Sequence, residues 1–108
     1  MKYNLFLDDQ RNPEWLVDYK GDGSIYDTEE FVIVRTFDEF YKTIKEKGIP
    51  KFVSFDYILE KTDTENDGLD CAEFLKFECE DSGIDIPEYR VHSNYPGIFV
   101  EFDKILKK

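Results

Sequence analysis

The chain has 108 residues, the size of one domain with a single hydrophobic core. Hydrophobic residues make up 41% of it and include 10 Phe and 7 Tyr, which is typical of a globular protein, and no apolar run is as long as a membrane span. A net charge of −11 argues against direct binding to nucleic-acid backbones, which requires Lys and Arg. The acidic surface either keeps the protein in solution or attracts a basic protein partner.

The first residues lead directly into a predicted strand, without the pattern of a secretory signal, so we expect a cytoplasmic protein. Cys71 and Cys79 are eight positions apart on a predicted helix, which separates them by about 12 Å along its axis. That distance excludes a disulfide between them. We therefore expect two reduced, buried thiols, and the sequence contains no Cys/His spacing typical of zinc sites.

The first predicted strand, residues 3–7, is almost continuously apolar, as expected of a buried strand in a parallel sheet. It ends in two carboxylates, Asp8 and Asp9. The chain is then polar and irregular as far as about residue 30, and Asn12 and Pro13 predict a short helical turn within this segment. A loop of this length in a small domain is often functional.

The second predicted strand, residues 31–34, precedes a helix whose start is indicated by Thr36 and Glu39 in the spacing of a capping box. Apolar residues then recur at the positions i, i+3, i+4 and i+7 of a helix, and we expect them to form one buried face: Phe37, Phe40, Tyr41 and Ile44. Gly48 predicts the end of this helix.

The third predicted strand, residues 52–55, ends in Asp56, and a polar loop leads from there to a second helix. This helix is predicted to begin at Asp67 or Gly68 and to end at Gly83. The residues expected on its buried face are Ala72, Leu75 and Cys79.

The fourth predicted strand, residues 89–91, leads to His92 and Ser93, and a last helix from about Gly97 is expected to bury Ile98, Phe102 and Ile105. Strands alternate with helices, which predicts right-handed crossovers and a parallel sheet. We therefore expect an α/β fold in a single domain spanning residues 1–108. Its receiver-like, flavodoxin-type sheet has about four strands in the order 2-1-3-4, flanked by helices.

Carboxylates follow two strands that would be neighbours in this sheet. Asp8, Asp9 and Asp56 would converge at its carboxyl edge, where ligands bind in open parallel sheets. A divalent cation relieves their repulsion, and Mg²⁺ (or Mn²⁺) combines such carboxylates with water and a phosphate oxygen. The alternative is that each Asp only ends its strand, because Asp is common in turns.

His92, Ser93 and Arg11 would border this crevice. His92 is either a surface residue or a core residue with its hydrogen bonds satisfied, or it is a catalyst. In the catalytic role, nearby carboxylates would raise its pKa and make it a cationic donor to a phosphate oxygen. Ser93 could hold phosphate through its hydroxyl, but neighbouring strand residues point to opposite faces, which argues against a triad with His92. Arg11 makes either a surface salt bridge or a bidentate contact with phosphate.

Four segments, in this order, resemble the cyclic-phosphate processing receiver-like domain family, an offshoot of response-regulator receiver domains. They are LFLDDQRNP at residues 5–13, VSFD at 53–56, GLDCA at 68–72 and VHS at 91–93. The resemblance implies a receiver-like fold and a metal-assisted site that processes cyclic phosphates on nucleotides or nucleic-acid ends. The positions that match the family's site are Asp8, Asp9, Arg11, Asp56, His92 and Ser93.

The chain departs from the family pattern after the third strand. The family usually has FDHDLG where this chain has FDYILE, so Tyr57 and Ile58 replace a histidine and an aspartate. The family also tends to have HSxNP, whereas Tyr95 precedes Pro96 here. A conventional phosphorelay receiver is disfavoured too, because no predicted fifth strand supplies the usual lysine after Ser93.

The residues and the resemblance together predict a domain that binds Mg²⁺ (or Mn²⁺) and a phosphate-containing small molecule or nucleotide. The metal ligands would be Asp8, Asp9 and Asp56, the ligand-binding residues Arg11 and Ser93, and the catalytic residues His92 and Asp56. Hydrolysis of cyclic phosphates is the implied activity, although Tyr57 and Ile58 leave turnover open. The alternative is a non-catalytic acidic protein on the same fold that sequesters a ligand or binds a basic protein.

Overall fold

A computed structural model describes residues 3–16, 26, 30–57, 59, 67–93 and 95–107. Its elements are β1 (Asn4–Leu7), a 3-10 turn (Pro13–Leu16), β2 (Phe31–Val34), α1 (Phe37–Lys47), β3 (Phe52–Phe55), α2 (Gly68–Ser82), β4 (Glu88–Val91) and α3 (Ile98–Leu106). The strands form one parallel sheet in the order β2-β1-β3-β4. The predicted α/β class and strand order are confirmed. Within the described residues, no helix has both the length and the apolar character that crossing a membrane requires.

The register of the sheet brings the ends of all four strands to the same level. Leu7 pairs with Val34 on one side and with Phe55 on the other, and Phe55 pairs with Val91. The residues that directly follow the strands therefore leave the sheet at one edge: Asp8, Arg35, Asp56 and His92. This alignment brings the residues of the candidate functional site to one edge of the sheet.

The two faces of the sheet are covered differently. One face contributes Leu5, Leu7, Val53 and Phe55 to the main core, which also contains buried residues of all three helices: Phe40, Ile44, Cys71, Ala72, Leu75, Cys79, Ile98, Phe102 and Leu106. On the opposite face Phe6 packs with Leu16, Tyr26 and Phe31 in a smaller cluster. Residues 17–25 and 27–29 of the long loop lie outside the described residues.

The start of α1 follows the predicted cap only in part. The Thr36 hydroxyl accepts a hydrogen bond from the Glu39 backbone N–H at 3.1 Å, but the Glu39 carboxylate accepts from the Arg35 backbone N–H at 2.6 Å. The buried face is also narrower than predicted. Phe40 and Ile44 are buried, whereas Tyr41 is 42% exposed because it lies at the flank of the helix, against Phe74 of α2.

The other two helices follow their sequence patterns closely. Asp67 caps α2 and forms a complete capping box with Asp70, and Gly83 ends the helix at a φ of 68°, in the left-handed region. Both cysteines are free and buried, as predicted, and burial raises the pKa of the Cys71 thiol well above its ordinary value. In α3 the buried face is completed by Leu106, while the expected Ile105 is half-buried at its margin.

The beginning of α2 is packed directly against the end of β3. The Gly68 N–H donates to the Tyr57 carbonyl at 2.6 Å, and a Cβ atom at Gly68 would lie 1.8 Å from the Asp56 carbonyl oxygen. No side chain fits in that space without displacing backbone. Gly68 therefore allows α2 to hold Asp56 and Tyr57 in place.

We expect Gly68→Ala to lower the free energy of unfolding by about 1–3 kcal/mol, the usual cost of overpacking. Helix propensity alone predicts the opposite sign, because Ala is favoured over Gly inside a helix by about 1 kcal/mol. Urea denaturation of this variant, with Glu73→Ala at an exposed position of α2 as the control, measures the difference. A Gly68→Ala variant as stable as the parent would show that α2 is not constrained in this way.

Candidate functional site

The carboxylate of Asp8 is the best-bonded group at the carboxyl edge of the sheet. It is 1% exposed. Its Oδ1 accepts from the backbone N–H groups of Gln10 at 2.9 Å and Arg11 at 2.8 Å, and its Oδ2 is 2.7 Å from Arg11 Nε and 3.1 Å from His92 Nε2. Burial alone would raise the pKa of Asp8, but the hydrogen bonds from His92 and from the Arg11 and Gln10 backbone outweigh it and hold this pKa well below its usual range. Asp8 is therefore ionised.

Behind Asp8, a chain of hydrogen bonds runs through the interior. His92 Nδ1 is 2.6 Å from Ser54 Oγ, which is 2.7 Å from the hydroxyl of Tyr26. Because an ionised carboxylate only accepts, His92 donates from Nε2 to Asp8, and a neutral imidazole then accepts from Ser54 at Nδ1. Ser54 in turn accepts from Tyr26. The ring of Phe6 stacks on the imidazole, with centroids 4.8 Å apart and planes 1° from parallel.

The expected cationic role of His92 is wrong. The side chain is fully buried, and burial lowers its pKa more than the neighbouring Asp8 raises it, while the charge of Arg11 lowers it further. The imidazole therefore remains neutral and has no access to a ligand in solvent. Any contribution of His92 to catalysis acts through its hydrogen bond to Asp8, and that contribution stays a prediction.

Asp56 lies on the other side of the crevice and is far less well compensated. Its Oδ1 accepts from the Tyr57 backbone N–H at 2.8 Å, and Arg11 Nη2 is 3.7 Å away. Burial, followed by the negative charge of Asp8 and a smaller effect of Asp9, raises the pKa of Asp56 to about 6. The crevice thus holds one carboxylate whose charge is not fully neutralised.

Arg11 occupies the space between the two carboxylates. Its Nε donates to Asp8, while its Nη2 is 3.7 Å from Asp56 Oδ1 and 3.4 Å from the His92 carbonyl oxygen. The side chain is 28% exposed, so part of it faces solvent. Arg11 therefore makes a salt bridge, one of its two predicted roles. A cation bound at Asp56 would lie close to the same guanidinium.

Arg35 is a site residue that the sequence analysis missed. It follows β2, and its guanidinium holds the loop after β1 by bonds to the Arg11 carbonyl at 2.6 Å, the Asp8 carbonyl at 3.2 Å and Asn12 Oδ1 at 2.5 Å. Its position directly after a strand, like that of Asp8 and Asp56, was the signal that could have identified it. Ser54 could also have been identified from the sequence, because it is a polar residue within an apolar strand.

The oxygen donors of the crevice fit a hard divalent cation. Asp8, Asp56 and His92 each offer a ligand atom, and these atoms lie within 4.8 Å of one another. Mg²⁺ prefers oxygen, and His92 Nε2 is already bonded to Asp8, so the carboxylates are the better ligands. Asp9 is buried and close enough for its charge to raise the pKa of Asp56. The guanidinium of Arg11 is the cation now between Asp8 and Asp56.

Ser93, the remaining predicted site residue, is half-buried and directly follows His92 after β4. The Ser93 hydroxyl accepts from the Tyr95 backbone N–H at 3.3 Å, and its contact with phosphate stays a prediction. The ring of Tyr57 is in edge-to-face contact with that of Tyr95. Ile58, the second departure from the family pattern, lies outside the described residues.

Comparison with protein families agrees with this geometry. A family model described as the cyclic-phosphate processing receiver domain matches residues 3–108. The chain belongs to this family. No curated protein matches the chain.

Solved structures of NtrX from Brucella abortus resemble this cyclic-phosphate processing receiver domain. One has a TM-score of 0.65 and 18% identity over 100% of this chain and 23% of the NtrX chain. A second, in complex with ADP, has a TM-score of 0.65 and 20% identity over 98% of this chain and 22% of the NtrX chain. The domain thus spans less than a quarter of these chains, and at such identities the likeness shows the fold alone.

We expect Ser54→Ala to lower the free energy of unfolding by about 1–3 kcal/mol, because it removes the hydrogen-bond partner of the buried His92 Nδ1 and one partner of the Tyr26 hydroxyl. Ser82→Ala, at an exposed position, is the control and should change stability by less than about 0.5 kcal/mol. Nitrogen-15 NMR should also show the parent imidazole protonated at Nε2. A proton on Nδ1, or a Ser54→Ala variant of full stability, contradicts the hydrogen-bond chain.

The raised pKa of Asp56 predicts a stability that depends on pH. The folded protein binds this proton more tightly than the unfolded chain, whose pKa is about 3.9, so the free energy of unfolding falls as pH rises from about 4 to 6. Asp56→Asn removes this penalty and should stabilise the protein at pH 7 by about 1–3 kcal/mol, with little gain at about pH 4. Thermal unfolding across this pH range, with Asp81→Asn as an exposed control, measures the effect. An equal gain at both pH values excludes titration of Asp56 as its cause.

Proposed function

We propose that this domain binds Mg²⁺ or Mn²⁺ at Asp56, with Asp8 and Asp9 contributing charge or ligand oxygens, and that it binds the phosphate of a small molecule or nucleotide there. The observation that carries this proposal is the convergence of Asp8 and Asp56, whose ligand atoms lie within 4.8 Å of each other, and the raised pKa of Asp56 agrees with it. Two carboxylates in one crevice repel each other, and a cation that binds between them lowers the free energy of the site. When bound, the ion neutralises these carboxylates and polarises a phosphoryl oxygen.

Arg11 is the residue best placed to bind the phosphate. Its guanidinium is partly exposed and makes only a long contact, 3.7 Å, with Asp56. A cation at Asp56 would repel that end of the guanidinium, whereas Nε is held separately by Asp8, at 2.7 Å. The freed end can then donate to a phosphate oxygen, for which a guanidinium is well suited.

The reaction that we propose is hydrolysis of cyclic phosphates of nucleotides or nucleic-acid ends. Without the ion, Asp56 has a pKa of about 6 and can exchange a proton near neutral pH. Bound to the ion, Asp56 would stay ionised and act as a ligand, and the ion would lower the pKa of a bound water. The pKa of Tyr57 is raised, by burial first and then by the charge of Asp67, so its phenol is a poor base. His92 contributes by orienting Asp8.

A second candidate is a binding domain without turnover. It is favoured by the burial of His92 and by Tyr57, which leave Asp56 as the group in the described crevice suited to proton transfer, and a bound cation would keep Asp56 ionised. Such a domain would sequester its ligand, or would use its net charge of −11 to bind a basic protein. Incubation with 2′,3′-cyclic nucleotides and Mg²⁺, followed by product analysis, separates the candidates: linear phosphates support the hydrolase, and bound but unchanged ligand supports the binding domain.

We expect Mg²⁺ at a hundredfold excess over its dissociation constant to raise the free energy of unfolding by about 2.7 kcal/mol. The double variant Asp9→Asn and Asp56→Asn should remain folded and lose this response, because two carboxylates of the proposed site are gone. The double variant Asp81→Asn and Asp85→Asn, at exposed positions, is the matched control and should keep it. An unchanged response to Mg²⁺ in the Asp9/Asp56 variant would disprove the proposed metal site.

A further inference from the structure

Two aromatic rings that follow the ends of β3 and β4 have no part in the function proposed above. Tyr57 directly follows Asp56, and Tyr95 lies in the connection between β4 and α3. Their ring centroids are 5.0 Å apart and their planes meet at 67°, in an edge-to-face pair. Tyr95 is 54% exposed. An exposed aromatic surface therefore lies at the edge of the sheet where β3 and β4 end.

Hydrogen bonds hold the backbone of both tyrosines in position. The Tyr57 N–H donates to Asp56 Oδ1 at 2.8 Å, and the Tyr57 carbonyl accepts from the Gly68 N–H at 2.6 Å. The Tyr95 N–H donates to Ser93 Oγ at 3.3 Å, and the Tyr95 carbonyl accepts from the Ile98 N–H at 3.2 Å. The bond from Tyr57 to Asp56 ties the pair to the proposed metal ligand. A surface prepared in this way loses little conformational entropy when a ligand binds.

An aromatic surface also suits the electrostatics of this protein. With a net charge of −11 the molecule repels anionic ligands, and stacking on a ring is an attraction that requires no positive charge. In an edge-to-face pair, one ring contributes only its edge and keeps its faces available. Stacking of a nucleobase on an aromatic side chain tolerates any base, because every base has a π-face.

We propose that Tyr95, supported by Tyr57, stacks on the base of a nucleotide whose phosphate lies between Asp56 and Arg11. The ligands of this site are then nucleotides, and phosphates without a base bind more weakly. This inference rests on the proposed function, since it requires the phosphate to bind at the crevice. Tyr95 selects the ligand and takes no part in the chemistry.

The test compares two cyclic phosphodiesters that carry the same charge, 2′,3′-cyclic AMP and glycerol 1,2-cyclic phosphate, each titrated in the presence of Mg²⁺. We expect the parent to bind the nucleotide about 5- to 150-fold more tightly, the factor that corresponds to stacking of one base. Tyr95→Ala should remove most of this preference and leave the affinity for glycerol cyclic phosphate within twofold. Proton NMR of the parent complex should show upfield ring-current shifts of the adenine protons.

Two further variants show whether the aromatic ring itself is responsible. Tyr95→Phe keeps the ring and should retain the preference for the nucleotide. Phe77→Ala removes an equally exposed aromatic ring, 61% exposed, that lies about 13 Å along α2 from Gly68, and it should bind both probes as the parent does.

The outcomes separate this inference from the proposed function. If the parent binds both probes with equal affinity, or if Tyr95→Ala weakens both equally, Tyr95 does not stack on a base, and the proposed function stands. If the parent binds neither probe in the presence of Mg²⁺, both are overturned.

Discussion

The buried carboxylate of Asp8 connects the parts of the site, and the geometry of the crevice depends on it. A carboxylate that is 1% exposed must replace its lost hydration with hydrogen bonds, and four donors do so here. Two are backbone N–H groups of the loop after β1, one belongs to Arg11 and one to His92 at the end of β4. One side chain thereby fixes the loop, the guanidinium and the far strand relative to β1.

This arrangement also explains why Asp56 remains under-compensated. Arg11 is bonded to Asp8 at 2.7 Å and is 3.7 Å from Asp56, so its positive charge compensates mainly the charge of Asp8. His92 offers no charge, because burial keeps it neutral. The protein therefore tolerates a destabilising, largely buried carboxylate in the crevice. Proteins often do so at binding sites, where affinity for a ligand is obtained at the expense of stability.

The sequence predicted the strand order, the helix boundaries and the meeting of Asp8 with Asp56, because these follow from local patterns and from the geometry of parallel sheets. It could not predict the state of His92. A lone histidine after a strand has no periodic signal for burial, and its expected positive charge was wrong because desolvation outweighs one carboxylate that is shared with Arg11. Tyr26 was missed for a related reason: the sequence around it has no periodic pattern, and its contact with Ser54 is long-range.

The central claim is that the crevice holds one fully compensated and one under-compensated carboxylate, and that a divalent cation compensates the second. Carbon-13 NMR titration of the Asp side-chain carboxyl groups, with and without Mg²⁺, tests it most directly. The account predicts that Asp56 titrates with a pKa of about 6 without the metal ion and at a lower pKa with it, while Asp8 stays ionised throughout the mildly acidic range. An Asp56 that titrates at the ordinary aspartate value, or whose pKa does not respond to Mg²⁺, would contradict the claim.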